Sequence, residues 1–123
     1  MSTATNTLDR ARTLHDWILE GRILEALDEF YDEDVVMQEG LAEPMRGREA
    51  NRVREAAWLA SVREFVGCEV RAVAADGDIS LSEVVMDYID VDGNAVHLEQ
   101  VSRAVWRDGR IVDERFYAAA AGE

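Results

Sequence analysis

Asp-Gly pairs at Asp76-Gly77, Asp92-Gly93 and Asp108-Gly109 recur every sixteen residues, and the stretches between them are rich in Val, Ile, Leu and aromatic side chains. Glycine accepts positive φ without a Cβ clash and aspartate tolerates the left-handed region, so each pair marks a reversal between two strands. Three reversals join four antiparallel strands, expected at about Cys68–Ala75, Ile79–Val91, Ala95–Arg107 and Ile111–Ala118. Strands of about thirteen residues run roughly 40 Å at about 3.3 Å per residue, and sheets that long twist and curl. A curled sheet needs a cover for its concave face, and the N-terminal half of the chain has to supply it.

That half reads as helices. Leu8, Ala11, Leu14 and Ile18 repeat at helical spacing over about Thr7 to Glu20, with Gly21 placed as a C-terminal cap. Ile23, Leu24, Leu27, Phe30 and Tyr31 mark a shorter helix that stops at Asp32-Glu33-Asp34. Val35 to Glu39 reads as a short strand and Gly40 to Gly47, with the only proline at Pro44, as a loop. A longer helix is predicted from Arg48 to Val66, its apolar face carrying Val53, Ala57, Trp58, Val62, Phe65 and Val66, with Gly67 ending it. Residues 1–6 are small and polar and are expected to be disordered. Helices first and strands afterwards indicate an α+β fold, the helices segregated on one face of the sheet, in a single domain over residues 1–123.

The net charge of −13 repels phosphate backbones and anionic headgroups, so neither nucleic acid nor a membrane surface is an expected partner. All thirteen basic residues are arginine, which excludes lysine Schiff-base and lysine general-base chemistry. Cys68 is the only cysteine, so no intrachain disulfide can form. No basic leader followed by an apolar run opens the chain, and no stretch is long enough to span a bilayer. The expectation is a soluble, cytoplasmic protein.

Strand alternation suggests which side chains point toward the helices. In Ala95–Arg107 the even positions, Val96, Leu98, Gln100, Ser102, Ala104 and Trp106, are the more apolar set. A three-residue loop Arg107-Asp108-Gly109 would pair Trp106 with Arg110 and set Ser102 opposite Glu114, turning Val112, Glu114, Phe116 and Ala118 inward. A two-residue loop at Asp92-Gly93 would pair Val91 with Asn94 and bring Ile79, Leu81, Glu83 and Val85 inward. Val84, Met86 and Tyr88 favour the opposite phase, which a bulge near Ser82-Glu83 would reconcile. Val101 and Val105, with Met86 and Tyr88, would leave an apolar outer face, and the expected outcome is a homodimer through the sheet.

The strings Phe30-Tyr31-Asp32-Glu33-Asp34-Val35-Val36, Glu43-Pro44-Met45-Arg46-Gly47 and Trp106-Arg107-Asp108-Gly109-Arg110-Ile111-Val112, in this order, resemble the SnoaL-like branch of the NTF2-like superfamily over nearly the whole chain. The resemblance implies a cone-shaped α+β fold in which three N-terminal helices cover a strongly curved, mainly antiparallel sheet. It also implies a deep apolar pocket between the layers and a common dimeric state. The family spans polyketide cyclases, ketosteroid isomerase, dehydratases and epoxide hydrolases, and fold alone does not select among them. Where ketosteroid isomerase has its general base, its oxyanion tyrosine and its protonated aspartate, this chain has Gln38, Leu14 and Ser102, so that activity is not expected. An Asp-Arg-Asp set of the limonene-epoxide hydrolase kind has no match in the sequence.

Glu114 is the candidate catalytic residue: a carboxylate in an apolar hollow gains proton affinity and becomes usable near neutral pH, and polyketide cyclases of this family work through such a group. Glu83 is a candidate second acid opposite Ser102. Gln38, Gln100 and Ser102 would hold a substrate oxygen, and Trp17, Tyr31, Trp58 and Phe116 would line a pocket for a flat apolar ligand. Glu39 should point away from Gln38, toward solvent, and His15 should be a boundary residue between the two faces of its amphipathic helix. His97 and Glu99 share an outward face and, with only two histidines in the chain, make a poor metal site. No phosphate loop, nucleophile elbow or cysteine pair supports a nucleotide cofactor or triad hydrolysis. The functional expectation is cofactor-free acid/base chemistry by an isomerase, cyclase or dehydratase on a small hydrophobic carbonyl compound; the alternative is a dimeric binding module without chemistry.

Overall fold

A computed structural model describes residues 3–119. Helix α1 (Thr3–Leu19) is followed by α2 (Ile23–Phe30), strands β1 (Tyr31–Glu39) and β2 (Met45–Arg46), helix α3 (Arg48–Ala60), and strands β3 (Val62–Asp76), β4 (Ile79–Asp90), β5 (Ala95–Arg107) and β6 (Arg110–Ala118). The strands form one sheet in the order β2-β1-β6-β5-β4-β3. All neighbours are antiparallel except β1 and β6, which run parallel. Three helices on one face of a mixed sheet make the expected α+β architecture. The core lies between the layers, with Phe30, Val35 and Ile111 fully buried beside Leu27, Met37 and Trp106.

Several boundaries differ from the sequence reading. Helix α1 already runs at Thr3, so of the expected disordered segment residues 3–6 are helical and residues 1–2 lie outside the described residues. Helix α3 ends at Ala60, and Val62 to Val66 belong to β3, paired with the far end of β4 through Val62↔Asp90 and Phe65↔Tyr88. Valine, phenylalanine and valine in five residues favour the pleated surface, and Gly67 ends no helix but sits at a register shift. Three such shifts along β3 bend it across the sheet.

The Asp-Gly pairs all mark reversals, but through three different loops. The first is the two-residue loop Gly77-Asp78 between the paired Asp76 and Ile79. The last is the two-residue loop Asp108-Gly109, φ 53° and 78°, with Arg107 facing Arg110. That overturns the three-residue reading, yet Glu114 still faces inward. Trp106 pairs with Ile111 and Val105 with Asp113, so Val112 is bulged and restores the phase. Ile111, not Val112, is therefore the buried residue at that end, and Ser102 pairs with Phe116 rather than Glu114.

The middle reversal is a three-residue loop, Val91-Asp92-Gly93, closed by the Asp90 amide donating to the Asn94 carbonyl at 2.9 Å. The Asp90 carboxylate accepts from the Asp92 and Asn94 amides at 3.0 and 2.9 Å, which fixes this longer loop. One extra residue flips every side chain of β4 relative to the two-residue expectation. Ser80, Ser82, Val84, Met86 and Tyr88 consequently face the helices opposite the even residues of β5, and Ile79, Leu81 and Glu83 face away. The register is continuous from Ile79 to Ile89, so no bulge intervenes at Ser82-Glu83.

Candidate active site

A cavity of about 290 Å³ opens between the helices and the sheet. Leu14 and Ile18 from α1 and Ile23, Ala26 and Leu27 from α2 form one wall. Val70, Val84, Met86, Leu98 and Phe116 form the other. Against this apolar surround stand a few polar groups: Glu114, Tyr31, Ser102, Gln100, and from α3 the neighbours Arg54 and Glu55.

Glu114 sits on β6 two residues past the Val112 bulge, 4% exposed. Tyr31 Oη donates to its Oε1 at 2.6 Å and Ser102 Oγ to its Oε2 at 2.7 Å. Burial raises the proton affinity of the carboxyl, the two hydroxyl donors lower it, the Glu55 charge raises it and Arg54 lowers it, leaving the group at about 7. The same burial, with the Glu114 charge beside it, pushes the Tyr31 phenol well above its ordinary range. Tyr31 is the hinge between α2 and β1: its amide closes the helix onto Leu27, and its carbonyl accepts from Arg48 at 3.1 Å.

Helix α3 turns a polar face inward. Asn51 is fully buried; its Nδ2 donates to the carbonyls of Met45 and Gly47 at 3.1 and 2.8 Å, and its Oδ1 accepts from Arg54 at 3.3 Å. The Glu43-to-Gly47 loop thus holds Asn51, which holds Arg54. Arg54 in turn pairs with Glu39 at 3.0 Å and Glu55 at 3.2 Å. Burial raises the Glu55 carboxyl while Arg54 opposes the rise. Trp58, one turn further on, donates from Nε1 to Tyr88 Oη at 3.3 Å and meets that ring edge-on at 5.6 Å.

Of the residues singled out from sequence, Glu114, Ser102, Gln100, Tyr31, Trp58 and Phe116 line the cavity together. Glu83 does not: it is exposed on the opposite face of the sheet, put there by the three-residue middle loop. Gln38 also turns away and donates from Nε2 to the Ala42 carbonyl at 3.0 Å. Its neighbours Met37 and Glu39 face the cavity instead, because β1 pairs with β6 through Met37↔Glu114 and Glu39↔Phe116 and cross-strand partners share a face. Trp17 packs outside the cavity, edge-on to Phe30 at 5.1 Å with the Arg22 guanidinium over its ring at 3.8 Å. His15 is half-buried, as a boundary residue of α1 would be, and also lines the cavity, its proton affinity lowered by burial.

Met86 and Tyr88 leave the outer face, where Val101, Leu81, Ile79 and Tyr117 are exposed. His97 faces outward, its nitrogens 2.6 Å from Asp87 and 2.8 Å from Glu99. Among the described residues no cluster of His, Cys, Asp and Glu is arranged to hold a metal ion, and no helix is long and apolar enough to cross a membrane.

Val53 and Ala57, the apolar residues expected on the buried face of α3, are exposed, and Arg54 and Glu55, which that expectation does not reach, line the cavity. Asn51, Glu55 and Trp58 at i, i+4 and i+7 carried the available signal, a helical stripe of mixed polarity.

A helical layer over a curled mixed sheet, enclosing a cavity lined by a buried acid, is the NTF2-like α+β cone. Residues 11–114 match the SnoaL-like domain, and the chain belongs to that family. A candidate SnoaL-like polyketide cyclase from Jannaschia sp. CCS1 superposes with a TM-score of 0.82 at 13% identity, covering 96% of this chain and 88% of that one. An LEH-like epoxide hydrolase from M. tuberculosis gives 0.77 at 19% identity, over 94% and 84% of the two chains. A candidate isomerase from Bacillus subtilis gives 0.74 at 20%, over 97% and 90%. At these identities the likeness shows the fold alone. No curated protein matches the sequence.

Proposed function

We propose that the chain is a small-molecule enzyme that moves protons on a hydrophobic carbonyl compound, as an isomerase, cyclase or dehydratase working without a cofactor. The observation that carries this reading is Glu114, buried among apolar side chains, held by Tyr31 and Ser102, and poised at about 7 where it can both give and take a proton. Gln100 is the free amide for a substrate oxygen, since its side chain takes no hydrogen-bond partner among the described residues while it lines the cavity. The names of the structural neighbours, a cyclase, an isomerase and an epoxide hydrolase, agree with small-molecule chemistry in such a cavity. Screening hydrophobic ketones and hydroxyketones, Glu114→Gln abolishes turnover while circular dichroism stays unchanged. A variant as active as the wild type dismisses Glu114 as the proton carrier.

One observation favours a second reading, a binding module without chemistry: both oxygens of Glu114 already have protein donors, as in a satisfied polar core. An apolar ligand that binds tightly yet is returned unchanged, with equal affinity for Glu114→Gln, decides for it. In either case we propose a cytoplasmic homodimer joined through the outer sheet face, on the strength of the exposed Ile79, Leu81, Val101 and Tyr117.

A further inference from the structure

Glu39, Glu55 and Glu114 line the cavity, and the last two stand in unlike surroundings. Glu114 rises from the sheet, and the contacts on its oxygens are hydroxyls, Tyr31 Oη and Ser102 Oγ. Glu55 descends from α3 and lies 3.2 Å from Arg54 Nη2, its side chain one-fifth exposed. Arg54 is no mobile surface cation: Asn51 Oδ1, Glu39 and Met37 Sδ also hold it. An anchored guanidinium favours the anion of the acid beside it and opposes the rise that burial imposes on Glu55, whereas an acid met only by hydroxyls in an apolar hollow rests neutral more readily. The two are close enough for the charge of Glu55 to be felt at Glu114 and Tyr31.

We infer that Glu55 is a second catalytic group, the general base of the site, with Glu114 as its general acid, and that the substrate class is a hydrophobic β-hydroxy carbonyl compound undergoing elimination of water. This rests on the proton-transfer reading above and narrows it. Glu55 takes the proton from the carbon next to the carbonyl, and the C–H electron pair becomes the new C=C bond. The bond from the β-carbon to its hydroxyl breaks, and the departing oxygen takes the proton of Glu114. The products are the conjugated carbonyl compound and water, with no change of oxidation state overall. Gln100 donates to the carbonyl oxygen as charge builds there. Glu55, nearer solvent, then releases its proton, and Glu114 regains one from water entering as product leaves.

A single-carboxylate site would use Glu114 for both transfers, and the two arrangements separate experimentally. The probes are the aldol adduct of benzaldehyde and acetone, which can eliminate to benzylideneacetone, and benzylacetone in deuterium oxide, which can only exchange its α-protons. The wild type accelerates both reactions. Glu55→Gln loses both by about a hundredfold or more, the usual worth of a general base. Glu114→Gln loses elimination by a similar factor and loses exchange by a smaller factor than Glu55→Gln does. Exchange that survives Glu55→Gln and vanishes in Glu114→Gln overturns the assignment of the base while leaving the proton-carrier role of Glu114 intact. Elimination undiminished in Glu114→Gln removes that role and leaves Glu55. A wild type inert toward both probes overturns the substrate class.

A readout without turnover guards against a misfolded variant: in an NMR titration, Glu55→Gln lowers the Glu114 midpoint by removing the facing charge. The other charged or titratable groups on the cavity, His15 on α1, Glu39 and Tyr31 on β1, Arg54 on α3 and Cys68 on β3, are unchanged in that comparison. A Glu114 midpoint indifferent to Glu55→Gln overturns the pairing of the two acids.

Discussion

Tyr31 Oη lies 2.6 Å from Glu114 Oε1, a bond that joins the end of α2 to a strand 83 residues further along the chain. It is available because β1 runs parallel to β6 and begins at Tyr31, whose bridge partner is Ile111. A phenol donating to a buried carboxylate stabilises the anion, so Tyr31 tempers the rise in proton affinity that burial imposes on Glu114. Tyr31→Phe accordingly moves the alkaline limb of the activity profile upward, and removing a charge-assisted donor costs about 1.5–3 kcal/mol of stability where Glu114 is ionised. Activity profiles and urea unfolding of the variant check both.

The same burial makes stability depend on pH. Glu114 rises from 4.5 to about 7 on folding, so between those values the unfolded chain has lost a proton that the folded one keeps. Its contribution is fully present below 4.5 and is lost as pH rises through about 7, a change of roughly 3 kcal/mol at about 1.4 kcal/mol per pH unit. Glu114→Gln removes this dependence and is more stable than the wild type above about pH 7, in the usual exchange of activity for stability. Unfolding curves at mildly acid and mildly alkaline pH show it as parting midpoints.

Asn51 links the loop before α3 to the cavity. Asn51→Leu removes the side-chain donor from the Met45 and Gly47 carbonyls, the second keeping the backbone amide of residue 51, and leaves Arg54 without one of its acceptors. The expected loss is about 2–4 kcal/mol, with turnover falling because Arg54 is displaced from Glu55. Asn51→Asp, which keeps the acceptor for Arg54, retains more activity than Asn51→Leu at equal folded fraction.

On the outer face, Val101 and Tyr117 are cross-strand partners and both are exposed. Val101→Glu converts the proposed dimer to a monomer in light scattering at micromolar concentration without altering the circular dichroism spectrum. A wild type already monomeric there removes the interface.

The meander, the helical cover and the inward aim of Glu114 were legible because each rests on local chemistry: glycine at reversals, alternation in β5, helical spacing in α1 and α2. What was not legible turned on single residues. Whether the middle loop holds two residues or three decides the face of all of β4, and the Asp90 carboxylate that settles it acts through geometry no composition reveals. Glu83 was lost to the site for that reason. Glu114 came out inward from a wrong loop length, since the bulge at Val112 supplied the missing residue. Helix α3 hid Arg54 and Glu55 because its apolar Val53 faces solvent while these two charged residues line the cavity, the reverse of an ordinary amphipathic helix. Such inversions concentrate where function outweighs packing.

The proposed chemistry depends on the ionisation of one side chain. A carbon-13 NMR titration of the Glu114 carboxyl, assigned by its absence in Glu114→Gln, measures it directly. The midpoint predicted is near 7, rising further in Tyr31→Phe. A midpoint at the ordinary 4.5, unmoved by Tyr31→Phe, would contradict the buried acid on which the proposed chemistry rests.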